Sequence, residues 1–179
     1  MRRIAVLAAG AALVAAPTPA LASEKGWDDA SRAGEVGLVA LALGMPAVKG
    51  DWNGVWQAGG SVVVAGGAAA ILKEAFPERR PDGSDRKSFP SGHASISFAA
   101  AATLHQRYGW EVGLPATLVA SFVGVARVKA RKHHWYDVVA GAAVGEASGW
   151  LITHPHDDRV QFFPWGDTHG GGLALGMRF

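Results

Sequence analysis

No cysteine occurs among the 179 residues, so the chain can build neither a disulfide framework nor a thiolate metal site. Charge is also scarce, at 18% of residues, with 17 basic against 15 acidic side chains. A formal net charge of +2 is too small to attract nucleic acid by itself, and no nucleic-acid partner is expected. Apolar residues make up 49% of the chain, which excludes a disordered polymer. Their excess is in Ala, Gly, Val and Leu rather than in aromatics, which points to closely packed helices. The long apolar runs lack the alternation and β-branched density that a sheet requires. With no repeat and no low-complexity linker, one domain around a single core is expected.

What is present at the N-terminus has a direction. Met1-Arg2-Arg3 is basic, Ile4 to Ala16 is apolar, and Pro17-Thr18-Pro19 breaks any helix before the small-x-small triplet Ala20-Leu21-Ala22. The pattern predicts a signal peptide over 1–22 and an exported, periplasmic mature chain beginning near Ser23. A helical domain over 23–160 and a Gly- and Trp-rich tail over 161–179 would follow. The competing reading is an uncleaved membrane helix, since Ile4 to Ala22 is about long enough to span a bilayer.

The mature chain reads as an all-α bundle of about five to six helices. The clearest segments are Ala30–Val48, Val55–Ala75, Ser95–Tyr108, Val112–Lys129 and Val138–Thr153. Asp28 or Ser31 could cap the first and Ser91 or Ser95 the third, while Pro46, Pro77 and Pro115 would mark segment ends. One long polar loop, Phe76–Pro90, separates the second and third helices. The tail alternates Leu173, Leu175, Met177 and Phe179, as an extended strand packing back on the bundle would. Gly54 to Leu72 is uncharged and long enough to cross a membrane, whereas other segments are shorter or interrupted by Glu35, His105 and Glu146. In a membrane the outward loops would carry most of the Lys and Arg, against the positive-inside tendency. That balance favours a soluble or peripheral periplasmic domain over an integral inner-membrane one, with membrane association still open. Trp52, Trp56, Trp110, Trp150 and Trp165 lie near segment ends and could form an interfacial belt or fill the bundle.

Three clusters carry the chemistry: Lys73 with Arg80-Pro81, Pro90-Ser91-Gly92-His93, and Arg127 with His133 and Asp137. Arg80, Arg127 and Lys73 could hold an oxyanion such as phosphate, because a guanidinium fork binds two oxygens at once. Ser91 and Gly92 precede the third helix, where free N–H groups favour an anion, and Gly92 lets the main chain approach closely. His133 and Asp137 are i, i+4, so a helical turn would let the carboxylate fix one imidazole nitrogen and free the other as a nucleophile. His93 could then protonate the leaving oxygen. The set describes phosphoryl transfer through a phosphohistidine, with no metal or cofactor required.

In order and internal spacing these clusters resemble the type 2 phosphatidic acid phosphatase (PAP2) family, whose superfamily includes bacterial non-specific acid phosphatases and vanadium haloperoxidases. The resemblance runs from Lys73 to Asp137 and extends to the apolar Val138-Val139-Ala140-Gly141. It implies that His133 attacks, Asp137 orients it, His93 is the general acid, and Lys73, Arg80, Ser91, Gly92 and Arg127 hold phosphate. The implied substrate is a soluble phosphate ester or a phospholipid or isoprenoid (pyro)phosphate, with vanadate as an inhibitor. The chain departs from the family where Ala126 precedes Arg127 in place of the usual Ser, and where His134 stands at a position often aromatic. Spacing to Arg127 and Asp137 selects His133 over His134.

Singly, each residue has a plainer explanation. Lys73 could be a snorkelling helix-end lysine, and 127–132 a surface or anionic-lipid patch. The joint arrangement outweighs these. A serine hydrolase is disfavoured because no Gly-x-Ser-x-Gly elbow surrounds Ser91. His154, His156, Asp157, Asp158 and His169 match no helical metal-ligand spacing and read as a solvated tail. A vanadium haloperoxidase and a non-catalytic phospholipid-binding envelope protein are the two rival functions.

Overall fold

Ser23 opens the first helix, its Oγ accepting the N–H of Gly26 at 2.9 Å and so satisfying one of the first turn's free donors. From there α1 spans Glu24–Val48, α2 Trp52–Ala75, α3 Gly92–Tyr108, α4 Trp110–Lys129 and α5 Trp135–Ile152. Two strands follow, β1 Val160–Asp167 and β2 Gly170–Met177. This computed structural model describes residues 23–155, 160–167 and 170–177. The expected signal peptide over 1–22 lies outside them, as do His156, Asp157, Asp158 and His169.

The all-α bundle expected from composition is present, with five helices among the described residues. Each helix begins earlier than its apolar periodicity suggests, and polar caps account for part of the extension. Asp51 accepts the N–H of Gly54 at 2.9 Å ahead of α2, and Ser91 accepts that of Ala94 at 3.4 Å ahead of α3. Asp28 and Ser31, expected as caps, lie inside α1. Pro46 and Pro115 also lie inside helices, in α1 and α4. Each removes one backbone bond, a local loss that packing of the flanking turns outweighs.

The central helix is α3, which packs against all four others, and its run from Ala99 to Leu104 is buried throughout. Around it, Leu38 and Ala42 of α1, Ala58 of α2, and Ala116 and Ala120 of α4 close the core. Such small residues let helix axes approach closely, and at α5 the approach is extreme. A Cβ on Gly141 would sit 2.4 Å from the carbonyl oxygen of Ser91, and one on Gly145 would sit 2.3 Å from that of Ser95. Only glycine fits there, and the contact presses the start of α5 onto the start of α3. At the other end of the bundle, Arg107 and Asp51 form a buried bidentate pair (Nε–Oδ2 2.8 Å, Nη2–Oδ1 2.5 Å). Arg107 also donates to Gln57 and to the carbonyl of His154.

The tail is extended, as its alternation suggests, but as an antiparallel hairpin pairing Phe162 with Leu175, with β1 against α2. Two strands arise because Asp167 and Gly170 flank a reversal that bare alternation does not reveal.

Among the described residues, α2 and α4 are long and apolar enough to cross a membrane. Only 22% of the most apolar stretch of α2 is buried, less than the core helix of a water-soluble bundle would bury. Val63, Val64 and Ile71 of α2, and Leu114, Leu118, Phe122 and Val125 of α4, are exposed on the outside of the bundle. Trp56, Trp110 and Trp150 are exposed at one end of the bundle and Trp135 at the other, so these four do not fill its core. These surfaces do not support the soluble or peripheral domain expected from charge placement. Cations gathered at an anion site dominate that charge count.

Candidate active site

The clusters separated in sequence meet at one end of the bundle. Lys73 ends α2, Ser91 and Gly92 open α3, Arg127 ends α4, and His133 and Asp137 bracket the start of α5. The loop between α2 and α3 folds back over this end through backbone hydrogen bonds from Ser88 to Glu78 and from Arg80 to Asp85.

His133 is almost fully buried, in the turn just before α5. Its Nδ1 lies 2.8 Å from the carbonyl oxygen of Ser88, a bond that fixes the ring with Nδ1–H donating and leaves Nε2 as the basic nitrogen. Burial, then the positive charges of Arg127, Lys73 and Arg80, push its pKa down to about 2. The imidazole is therefore neutral at working pH, which a nucleophile needs.

Asp137 is at hand but holds His133 differently from the expected direct contact. Its Oδ2 is 3.6 Å from His133 Nδ1, beyond hydrogen-bond reach, and accepts instead from Ser88 Oγ at 2.5 Å and from the N–H of His134 at 2.8 Å. The reason is local: His133 precedes the first helical turn, so the i, i+4 geometry of a helix does not apply, and the carboxylate caps α5 instead. Asp137 therefore reaches the His133 corner through Ser88. His134 is the helix cap, its ring stacked on Tyr136 at 5.0 Å.

The cations are organised by partners of their own. Lys73 Nζ donates to the carbonyls of Lys87 (2.9 Å), Ser88 (3.4 Å) and Pro90, pinning the segment that carries Ser88. Arg80 donates from Nε to Asp85 at 2.7 Å. Arg127 pairs through Nη1 with Asp28 and with Ser31 Oγ at 3.2 Å, while its buried Nε has no hydrogen-bond partner among the described residues. A buried guanidinium with a free donor suits an anion. His93 sits in the first turn of α3 with Nε2 3.3 Å from Glu35 Oε2 of α1. The positive charges of Arg127 and Arg80 act on both His93 and His133, in each case disfavouring the imidazolium.

Gly92 admits a Cβ at ordinary distance, 3.9 Å from Lys73 Cε, so its neighbours alone do not demand glycine. Ser91, wholly buried, caps α3 and donates its N–H to the carbonyl of Asp137 at 2.9 Å, tying the second cluster to the third. Sequence reasoning missed Ser88, Asp28, Ser31 and Glu35 as parts of this site. The signal available was the recurrence of Asp28 and Glu35 seven apart, and so on one face of the helix. Beside the site, Ala75, Phe76, Pro77, Phe89, Glu78 and Tyr136 line a shallow groove of about 520 Å³.

A helical bundle with two imidazoles and three cations converging at the helix ends is a class of architecture suited to handling an oxyanion. Residues 54–161 match the PAP2 superfamily, and the chain belongs to it. It is 38% identical over 94 residues to a lipid A 1-phosphatase of Porphyromonas gingivalis, covering 50% of this chain and 21% of that protein. To a lipid A 4'-phosphatase of Helicobacter pylori it is 30% identical over 129 residues, covering 66% and 62%. It thus spans less than two thirds of either relative. The crystal structure of Aquifex aeolicus LpxE superimposes with a TM-score of 0.62 over 78% of this chain and 87% of that one, at 20% identity. That likeness establishes the shared all-α fold.

Proposed function

We propose that this chain is a metal-independent lipid phosphate phosphatase that works through a phosphohistidine at His133, on the periplasmic side of a membrane that α2 and α4 cross. The observation that carries the reading is the neutral, buried His133, its Nδ1 tied to the carbonyl of Ser88 so that Nε2 is the basic nitrogen, with the charges of Arg127, Lys73 and Arg80 acting on the ring. The names of the relatives support a lipid substrate, as do the apolar groove and the exposed apolar helices beside the site.

In the first half-reaction Nε2 of His133 bonds to phosphorus while the bond from phosphorus to the leaving oxygen breaks. That oxygen takes a proton from His93, which becomes neutral. In the second half a water oxygen bonds to phosphorus, its proton passes to His93, and the phosphorus–nitrogen bond breaks. Alcohol and inorganic phosphate are the products. Arg127, Arg80 and Lys73, with the free N–H groups at the start of α3, stabilise charge on the equatorial oxygens. Residues 1–22 would export the chain, 23–160 would form the catalytic domain, and 161–179 would be an accessory tail.

The test is phosphate release by the purified full chain in detergent, with EDTA present, from phosphatidic acid, undecaprenyl pyrophosphate and a soluble ester. Release from a lipid, inhibited by vanadate, is expected. Activity that needs a divalent metal, or no release from any of the three, would overturn the reading.

A further inference from the structure

Helix α1 lies N-terminal to the stretch matched to the superfamily, yet it sends two carboxylates into the site. Asp28 pairs with Arg127, and Glu35, two helical turns further along the same face, lies 3.3 Å from Nε2 of His93. The Glu35 side chain is only 17% exposed, and Gly34 and Val36 on either side of it in sequence are apolar. A carboxylate buried to that degree is costly unless it faces a positive group. Burial pushes its pKa up to about 7 against the charges of Arg127 and Arg32, and the imidazole it faces at 3.3 Å is that of His93.

We infer that Glu35 is a positioning residue for His93: it engages Nε2, orients the ring, and stabilises the imidazolium that must hold the leaving group's proton. The inference rests on the proposed reaction and deepens it, assigning α1 a part in the acid half of the chemistry. With Nε2 turned to Glu35, Nδ1 is the nitrogen left to face the leaving oxygen. The carboxylate itself gains no proton in the cycle. Burial, then the charges of Arg127, Arg32 and Arg80, push the pKa of His93 down to about 4, and Asp28 opposes them. A proton held on that ring therefore requires a partner such as the carboxylate 3.3 Å from Nε2.

The discriminating property is dependence on the leaving group. An alkoxide must be protonated as it departs, whereas a dinitrophenolate departs without help. The experiment compares kcat/KM, which reports the step up to leaving-group departure, for the wild-type chain and Glu35→Gln on phosphatidic acid and on 2,4-dinitrophenyl phosphate. Glu35→Gln is expected to lose roughly 30-fold or more on phosphatidic acid and less than about 3-fold on the activated ester, within the range of general-acid effects. In a His93→Ala background, Glu35→Gln is expected to cost nothing further on phosphatidic acid. Glu35→Asp, which keeps the charge, is expected to recover part of the loss and guards against a folding defect. Equal losses on both substrates, or an undiminished effect without His93, would overturn the inference and leave the proposed function standing. A wild-type chain inactive on both substrates would instead remove the reading on which it rests.

Discussion

Ser88 and Asp137 are joined by a hydrogen bond of 2.5 Å from Oγ to Oδ2, between two side chains with no exposure to solvent. Through this bond a carboxylate that caps α5 also holds the residue whose carbonyl fixes His133. A hydrogen bond to a buried charge contributes about 1.5–3 kcal/mol. Ser88→Ala, which keeps the carbonyl but frees the carboxylate, is expected to lower stability by about that amount and kcat by roughly tenfold. Asp137→Asn should cost more of both, because it removes the charge as well as the cap. Chemical denaturation and steady-state kinetics on both variants check the ordering.

The neutral state of His133 has a consequence for acid stability. Unfolded, its imidazole binds a proton near pH 6.5, whereas folded it does so only near 2, so between these values protons favour the unfolded chain. Stability from this group is therefore intact above pH 6.5 and lost progressively as pH falls toward 2. At pH 4 the loss is on the order of 3 kcal/mol. His133→Gln should lose less stability than the wild type between pH 7 and 4, as read from denaturant midpoints at the two pH values.

The contact of α5 on α3 sets the position of the whole third cluster. Gly145→Ala would drive a methyl into the carbonyl of Ser95, and Gly141→Ala into that of Ser91. Each is expected to lower the melting temperature and to reduce activity at the same time, since Asp137 and His133 ride on the shifted helix. Gly67→Ala, at a position with open space, should do neither.

At the far end, the side chains of Asp51 and Arg107 are about 1% exposed and joined by three hydrogen bonds. Breaking such a pair leaves one uncompensated buried charge and costs about 3–5 kcal/mol. Asp51→Ala and Arg107→Ala should therefore destabilise strongly. Any chain that folds should keep its KM, because the pair is remote from the site.

The helices were legible because their composition is lopsided: long Ala-, Gly- and Val-rich runs have no other stable form. The convergence of Lys73, Arg127 and His133 was legible through motif order and spacing. Ser88 was not, because it acts through a backbone carbonyl, which every residue possesses. Asp28 and Glu35 were hidden for a different reason: nothing local says that α1 packs beside Arg127 and His93. The direct Asp137–His133 hydrogen bond that i, i+4 spacing suggests is stretched to a 3.6 Å approach because His133 stands outside the helix that the spacing presumes. The exposed apolar surface of α2 and α4 was masked in the charge count by the cations clustered near the helix ends.

The most direct test of the account is to trap the phosphoenzyme. Rapid mixing of the full chain with ³²P-labelled phosphatidic acid, followed by quenching in alkali and peptide mapping, should find an acid-labile, base-stable phosphate on His133. That label should be absent from His133→Ala and present in His134→Ala. A label on His134, or turnover by His133→Ala comparable with the wild type, would contradict it.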